Sequence, residues 1–310
     1  MRLVWFVANI ATPSRFQRFW TKRQAESTVM CKELRTRLLR LGPRAFNGPL
    51  LEGVCPEGEQ VYPSNLLGGN LHKYWKSMQA TQSARGNQTT NPADTESILE
   101  TTVQALKEGQ VVAVPTDTIY GLACLAQNSE AVGKVYDIKG RHSGKPLAIC
   151  VGEVEDVYKC CKVTVPEALL RDLLPGPVTL VMERSDKLNQ DLNPFTSLVG
   201  VRIPDHAFIR QLSQMCGEPL ALTSANVTSH TSTVAVHEFQ ELWSRLAVVV
   251  DGGPIGDQTP QSRLGSTVVD LSATGKYCII RPGCALSPTV TLLEERYGLI
   301  RWNRNWDGGD

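Results

Sequence analysis

Thr116, Asp117 and Thr118 interrupt an otherwise apolar segment, with Val111–Val114 and Pro115 before them and Ile119, Tyr120 and Leu122 after them. Polar loops ordinarily lie on the surface, so one wedged between two core-forming runs points to a pocket. The arrangement recurs. Thr179 closes Pro175-Gly-Pro-Val-Thr179, Arg202 sits inside Val199-Gly-Val-Arg-Ile-Pro204, and Thr223, Ser224 and Asn226 end another apolar run. Ser266 begins Ser-Thr-Val-Val-Asp270, Arg281 closes Ile279-Ile-Arg281, and Lys139, Arg141 and Lys145 share one loop. Hydroxyls and amides hydrogen-bond an uncharged or zwitterionic ligand, whereas Arg and Lys recognise carboxylate and phosphate. Together the set calls for a phosphate-bearing ligand beside a small polar one. Singly, each residue also reads as an ordinary surface turn residue. Asp117 has the chemistry of a general base, yet no histidine is spaced to partner it, and such a carboxylate also serves as a cap.

Known nucleotide fingerprints do not account for the set. No GxGxxG occurs. Gly140-Arg-His-Ser-Gly-Lys145-Pro146 is one residue short of a P-loop, and Pro146 blocks the helix whose N-terminus would hold the phosphates. The five histidines form no HExxH or Cys/His cluster, so no protein-bound metal is assigned.

The elements that must position these residues alternate. Apolar residues at 98, 99, 103 and 106 share one helical face, and a strand follows at 111–115. Ser129 is expected to cap a helix ending near Lys139. A strand at 146–151, a helix at 153–161 and a helix at 167–174 come next. Strands are expected at 178–182 and 198–203, then a helix capped by Asp205, then a strand at 220–223. A helix at 236–246, strands at 247–251, 266–271 and 277–281, and a helix at 288–297 complete the series. Strands alternating with helices give an α/β layer fold, and the late strand-to-strand steps predict a mixed parallel and antiparallel sheet. In such sheets ligands bind at strand ends, where the polar residues lie.

At 310 residues, 42% hydrophobic and 20% charged, with net charge +1, the composition is that of a globular protein. No apolar run reaches the roughly 18–20 residues needed to span a bilayer. The nine cysteines include no CxxC and lie mostly in apolar segments, as buried free thiols do. Residues 1–45 carry ten basic residues against Glu26 and Glu33, a composition that suits a mitochondrial presequence. Residues 46–94 are rich in Gly, Asn, Gln, Ser and Thr and are expected to be a flexible lead-in. The folded domain is expected at 95–298, with 299–310 a tail.

Six segments, in order, resemble the YrdC family: Pro115-Thr-Asp-Thr-Ile-Tyr-Gly-Leu122, Lys139-Gly-Arg141, Pro175-Gly-Pro-Val-Thr179, Val201-Arg-Ile-Pro204, Thr223-Ser-Ala-Asn226 and Ile280-Arg-Pro-Gly283. The KxR and SxN pair is that family's signature, and the resemblance covers about 95–298. It implies one domain with a twisted mixed sheet flanked by helices and a basic concave face. It also implies L-threonylcarbamoyladenylate synthase activity: L-threonine, bicarbonate or CO2, and ATP give threonylcarbamoyl-AMP and pyrophosphate. A separate transferase complex would then modify the adenosine beside the tRNA anticodon.

By this resemblance Thr118, Arg202, Thr223 and Ser266 serve the threonine and carbamate. Arg141, Lys145, Thr179, Ser224, Asn226 and Arg281 serve ATP, and Lys139 and Arg141 are the catalytic cations. Mg²⁺ would be held mainly by the ATP phosphates. Some relatives have Asn at the position of Lys145 and His at that of Cys150, and a thiol is a poor partner for a carboxylate. The implied locations are mitochondrion and cytoplasm, with peripheral membrane association. Two rival readings predict different behaviour. A double-stranded RNA or tRNA-binding module would show salt-dependent binding without ATP consumption, and a non-enzymatic regulator of membrane transport would need a membrane-facing surface.

Overall fold

The computed structural model describes residues 36–41, 92–140, 145–227, 230–257 and 259–302, and those from Arg35 onward belong to one compact unit. Short β-branched and small apolar runs build the sheet. Its strands are β1 (Arg37–Arg40), β2 (Val112–Val114), β3 (Gly121–Leu125), β4 (Ala148–Cys150), β5 (Cys161–Lys162) and β6 (Val178–Arg184). The second half adds β7 (Leu198–Arg202), β8 (Leu220–Ser224), β9 (Val248–Asp251), β10 (Thr267–Asp270), β11 (Lys276–Arg281) and β12 (Ile300–Arg301). They lie in the order β1-β9-β2-β3-β8-β4-β7-β6-β10-β11-β12, with β5 beside β6. The β4–β7 and β6–β10 pairs are parallel, whereas β3–β8, β6–β7 and β10–β11 are antiparallel, so the expected mixed sheet is present.

Six α-helices accompany the sheet among the described residues: α1 (Pro92–Lys107), α2 (Ser129–Lys139), α3 (Val154–Cys160), α4 (Glu167–Leu173), α5 (Ala207–Cys216) and α6 (Leu286–Thr291). The α1 face predicted from periodicity, Ile98, Leu99, Val103 and Leu106, packs with Phe208, Ile209 and Leu212 of α5. Beneath them lie Val112, Val114, Leu220, Leu222 and Val248 of the sheet. This sheet face continues past the two helices over β7, β6 and β10, where it is open. The alternate residues Leu180, Met182, Val199 and Val201 are buried on the other side. Strand alternation therefore divides each of these strands into a core side and a cleft side. None of the described helices is long and apolar enough to cross a membrane.

Several local expectations change. Asn128, not Ser129, caps α2, accepting from the Ala131 amide at 3.0 Å. His206, not Asp205, precedes α5, with no side-chain cap bond. The 236–246 helix is a 3₁₀ segment, Val236–Arg245, interrupted at Phe239. The last helix is α6 followed by a π turn at Leu292–Arg296. The apolar run after the polar turn, to which no element is assigned from the sequence, forms β3. β1 lies within the stretch 1–45 set apart as presequence-like, and β12 lies within the tail at 299–310. Short Arg-flanked apolar runs look alike in a leader and on a sheet edge, and only pairing partners distinguish them. The described cysteines are free thiols, while Cys31 and Cys55 lie outside the described residues. Burial pushes Cys124, Cys150 and Cys161 up to about 12, which keeps them as inert thiols.

Candidate active site

The turn after β2 is organised by its first hydroxyl. Thr116 Oγ1 accepts from the amides of Thr118 and Ile119, each at 3.2 Å, and donates to the Ile119 carbonyl at 2.7 Å. This turn aims Asp117 and Thr118 at Arg202, the last residue of β7. The Arg202 guanidinium donates to the Asp117 carboxylate and, at 2.6 Å, to Thr118 Oγ1. Asp117 also accepts from the Asp205 amide at 3.1 Å. With side-chain exposures of 6% for Arg202 and 0% for Asp117, this is a buried ion pair. Asp117 is thus committed to holding Arg202 and to the turn before α5, so its cap-like role prevails over that of a general base. Arg202 Nε is buried without a hydrogen-bond partner.

Arg202 stands at one end of a cleft of about 430 Å³ on the open sheet face. Thr179, Ser266 and Arg281 also line that end, whereas Thr223 and Ser224 line the cleft farther along, where β8 runs beside β4. Thr179 Oγ1 and Ser266 Oγ share a hydrogen bond of 2.8 Å, and Arg281 donates to the Ser266 carbonyl at 2.9 Å and to its hydroxyl at 3.3 Å. Gly283 permits this approach: a Cβ there would lie 2.3 Å from Ser266 C and from Thr267 N. Burial, and then the neighbouring charge of Arg202, lowers the Arg281 pKa from its ordinary value. Two guanidiniums face the cleft and only one is paired with a carboxylate among the described residues. An anion entering between them relieves that repulsion.

The other end has an apolar wall of Phe195, Pro146, Leu147 and Leu198, beside which lie Thr196 and Ser224. It lies about 13 Å from Arg202, the length of four strand residues. Between the ends the floor is made of small residues, Ala148 and Gly200, paired in register. A Cβ on Gly200 would meet Thr179 Cγ2 at 3.0 Å and Ala148 Cβ at 3.7 Å. Gly200→Val is therefore expected to raise the KM for a ligand spanning the cleft at least about tenfold, with about 1–3 kcal/mol of overpacking cost. Steady-state kinetics alongside thermal unfolding would check this, and an unchanged KM would exclude a ligand lying across the floor.

Lys139, a catalytic cation implied by the resemblance, is enclosed rather than on the cleft lining. It is 1% exposed. Its Nζ donates to the Ser224 carbonyl at 2.7 Å, to Ser224 Oγ at 3.3 Å, to Asn226 Oδ1 at 3.0 Å and to the Asn226 carbonyl. The last turn of α2 delivers it, and Gly140 ends that helix in the left-handed conformation (φ 60°). A cation so enclosed shapes the Ser224–Asn226 turn from behind. Lys139 of the KxR segment thus meets Ser224 and Asn226 of the SxN segment in space.

Of the residues singled out from the sequence, Thr179, Arg202, Thr223, Ser224, Ser266 and Arg281 line the cleft together. Thr118, Lys139 and Asn226 lie in the layer behind them. Lys145 is exposed and lies off the lining. Arg141 falls outside the described residues. Cys150, fully buried beside Arg202 in register, is a thiol held up at about 12 chiefly by burial. Sequence reasoning did not find Phe195, Gly200 or the Asp117–Arg202 pair. A glycine in mid-strand was a signal for Gly200, but nothing local announced the other two.

The chemistry open to this arrangement is positioning and charge stabilisation. Hydroxyls and guanidiniums can align two ligands and stabilise negative charge that develops on a phosphate. Comparison with known proteins places the chain in a family. The profile of a family described as "Telomere recombination", Sua5/YciO/YrdC, matches residues 104–283. A Bos taurus relative named threonylcarbamoyl-AMP synthase is 65% identical over 203 residues, covering 65% of this chain and 73% of its own. The Homo sapiens protein of that name is 63% identical over 203 residues, with the same coverage. Among solved structures, P. abyssi Sua5 complexed with L-threonine matches with TM-score 0.61 and 28% identity, over 72% of this chain. This chain spans 63% of that protein's length.

Proposed function

Because the chain belongs to the Sua5/YciO/YrdC family, we propose that it is an L-threonylcarbamoyladenylate synthase, making threonylcarbamoyl-AMP and pyrophosphate from L-threonine, bicarbonate and ATP. The carrying observation is the cleft with two guanidiniums and the Thr179 and Ser266 hydroxyls at one end, and an apolar wall beside Ser224 at the other. Condensation of threonine with bicarbonate gives an N-carboxylate and water. A carbamate oxygen then attacks the α-phosphate, a P–O bond forms, and the bond to the leaving pyrophosphate breaks. The carbamate is already anionic, so the step needs alignment rather than an activated side chain.

Arg202, held by Asp117 and Thr118, receives the threonine carboxylate through the free face of its guanidinium. Thr223 and Ser266 take the remaining polar atoms of threonine and carbamate. Arg281, Thr179, Ser224 and the turn bearing Asn226 receive the phosphates, joined by Arg141 and Lys145 from their loop. Lys139 acts as a positioning residue for that turn. The donor set fits Mg²⁺ carried by the nucleotide: the carboxylate beside the cleft, Asp117, is occupied by Arg202. When bound, the ion would supply charge neutralisation on the phosphates.

The product is consumed by a transferase acting on the adenosine beside the tRNA anticodon. The proposal includes mitochondrial and cytoplasmic locations, the mitochondrial one supported by the Arg-rich N-terminus, and imaging of a C-terminally tagged chain tests it. Pyrophosphate release by the full chain with ATP and Mg²⁺ tests the activity. Release is expected to require both L-threonine and bicarbonate, with L-serine a poorer substrate. No release from folded, ATP-binding protein would remove the synthase reading and favour the RNA-binding one.

A further inference from the structure

Tyr120, fully buried at the cleft wall, is held by a turn that follows β9. Its hydroxyl accepts from the Gly252 amide at 3.0 Å and donates to the Gly253 carbonyl at 2.7 Å. A Cβ on Gly252 would lie 2.8 Å from Pro115 Cγ and 3.8 Å from Leu41 Cδ1. The turn is therefore pressed between the proline that opens the active-site loop and a residue far upstream of the family match.

That upstream segment is tied down along its whole length. β1 runs parallel to β9 in unbroken register from Arg37 opposite Val248 to Arg40 opposite Asp251. Thr36 donates its hydroxyl hydrogen to the Trp243 carbonyl, and the Arg37 amide donates to the Ala247 carbonyl at 3.0 Å. At the other end the Leu41 amide donates to the Asp251 carbonyl at 2.8 Å, and Arg40 Nε lies 3.3 Å from Asp251 Oδ2. Asp251 in turn accepts from the Gly253 amide at 3.0 Å. Leu39 and Leu41 pack against the core beneath α1 and α5. Without β1, β9 would become the sheet edge, with its outer backbone groups open to water and free to fray.

We propose that Thr36–Leu41 is a positioning element of the active site. It fixes the Asp251–Gly253 turn against which Tyr120 and Pro115 are set. The functional chain accordingly retains these residues, and removal of any leader ends at or before residue 35.

Two measurements on the full chain test this. The first is the intact mass of folded, C-terminally tagged protein isolated from the cells that express it. An N-terminus at or before Thr36, uncleaved chain included, is expected; folded protein starting beyond Leu41 overturns the proposal. The second compares wild type with Leu41→Pro, which removes the amide bonded to Asp251, and with Leu39→Asp. Amide exchange at Gly252 and Gly253 is expected to quicken about tenfold. The KM for L-threonine should rise several-fold while kcat changes by less than about twofold. Unchanged exchange and KM in a folded variant would overturn the positioning role, and the mass measurement decides even where both variants unfold. Only the KM readout rests on the synthase reading; the other two stand without it.

Discussion

Arg202→Leu is expected to cost about 3–5 kcal/mol of folding stability and to abolish threonine-dependent turnover. The two losses have separate causes. The Asp117 side chain is fully buried, and Arg202 is its ion-pair partner, leaving the Asp205 amide as the contact that survives the substitution. A buried carboxylate stripped of its counter-ion pays desolvation that nothing repays, which is why breaking such a pair costs more than its formation contributes. Adding Asp117→Asn should restore most of the stability, since a neutral amide needs only hydrogen bonds. It should restore no activity, because the guanidinium that meets the substrate carboxylate is still absent. Urea unfolding of the single and double variants, beside pyrophosphate release, separates the two. An Arg202→Leu protein as stable as wild type would show that the pair is not the anchor of the Thr116–Thr118 turn.

For Lys139→Met the expected result is a fall of about 10²–10³ in kcat/KM, with a stability loss of about 2–4 kcal/mol. Methionine fills much of the same volume but leaves the Asn226 carbonyl and Oδ1 without their donor, while the Ser224 carbonyl keeps only the Asn226 amide at 3.0 Å. Each unsatisfied buried acceptor costs about 1–3 kcal/mol, and the turn relaxes to find water. Ser224 then moves off the cleft as Asn226 behind it shifts, so catalysis falls through geometry. Lys139→Arg is not expected to rescue, since a planar fork cannot reproduce one ammonium surrounded by four oxygens. A direct phosphate contact by Lys139 predicts something else: loss of turnover without loss of stability, and partial rescue by arginine. Thermal unfolding and steady-state kinetics on both variants choose between them.

Most of the polar residues that meet in the cleft were legible because each sits where an apolar run stops. Thr179, Arg202, Thr223, Ser224, Ser266 and Arg281 are dispersed over about a hundred residues of chain, yet all stand at strand ends or beginnings. In an α/β sheet those ends gather at common rims. The helical face of α1 was readable for a similar reason, since Ile98, Leu99, Val103 and Leu106 follow the helical period and burial enforces it. Lys139 was legible as a member of the site, but its burial and its acceptors were not. A lysine in a charged loop and a lysine sealed behind one look identical until its acceptors are in place.

By itself, the sequence determined the alternation of elements, the mixed character of the sheet and the residue types that face the cleft. These follow from local periodicity and from where apolar runs end. Only the tertiary structure decided which residues are partners. Asp117 and Arg202 lie 85 positions apart, and β1 finds β9 more than two hundred residues later. Such pairings depend on strand order and register, which are set by packing the whole sheet at once. No local pattern around Arg37–Arg40 could distinguish a leader from the edge strand that supports the active-site turn.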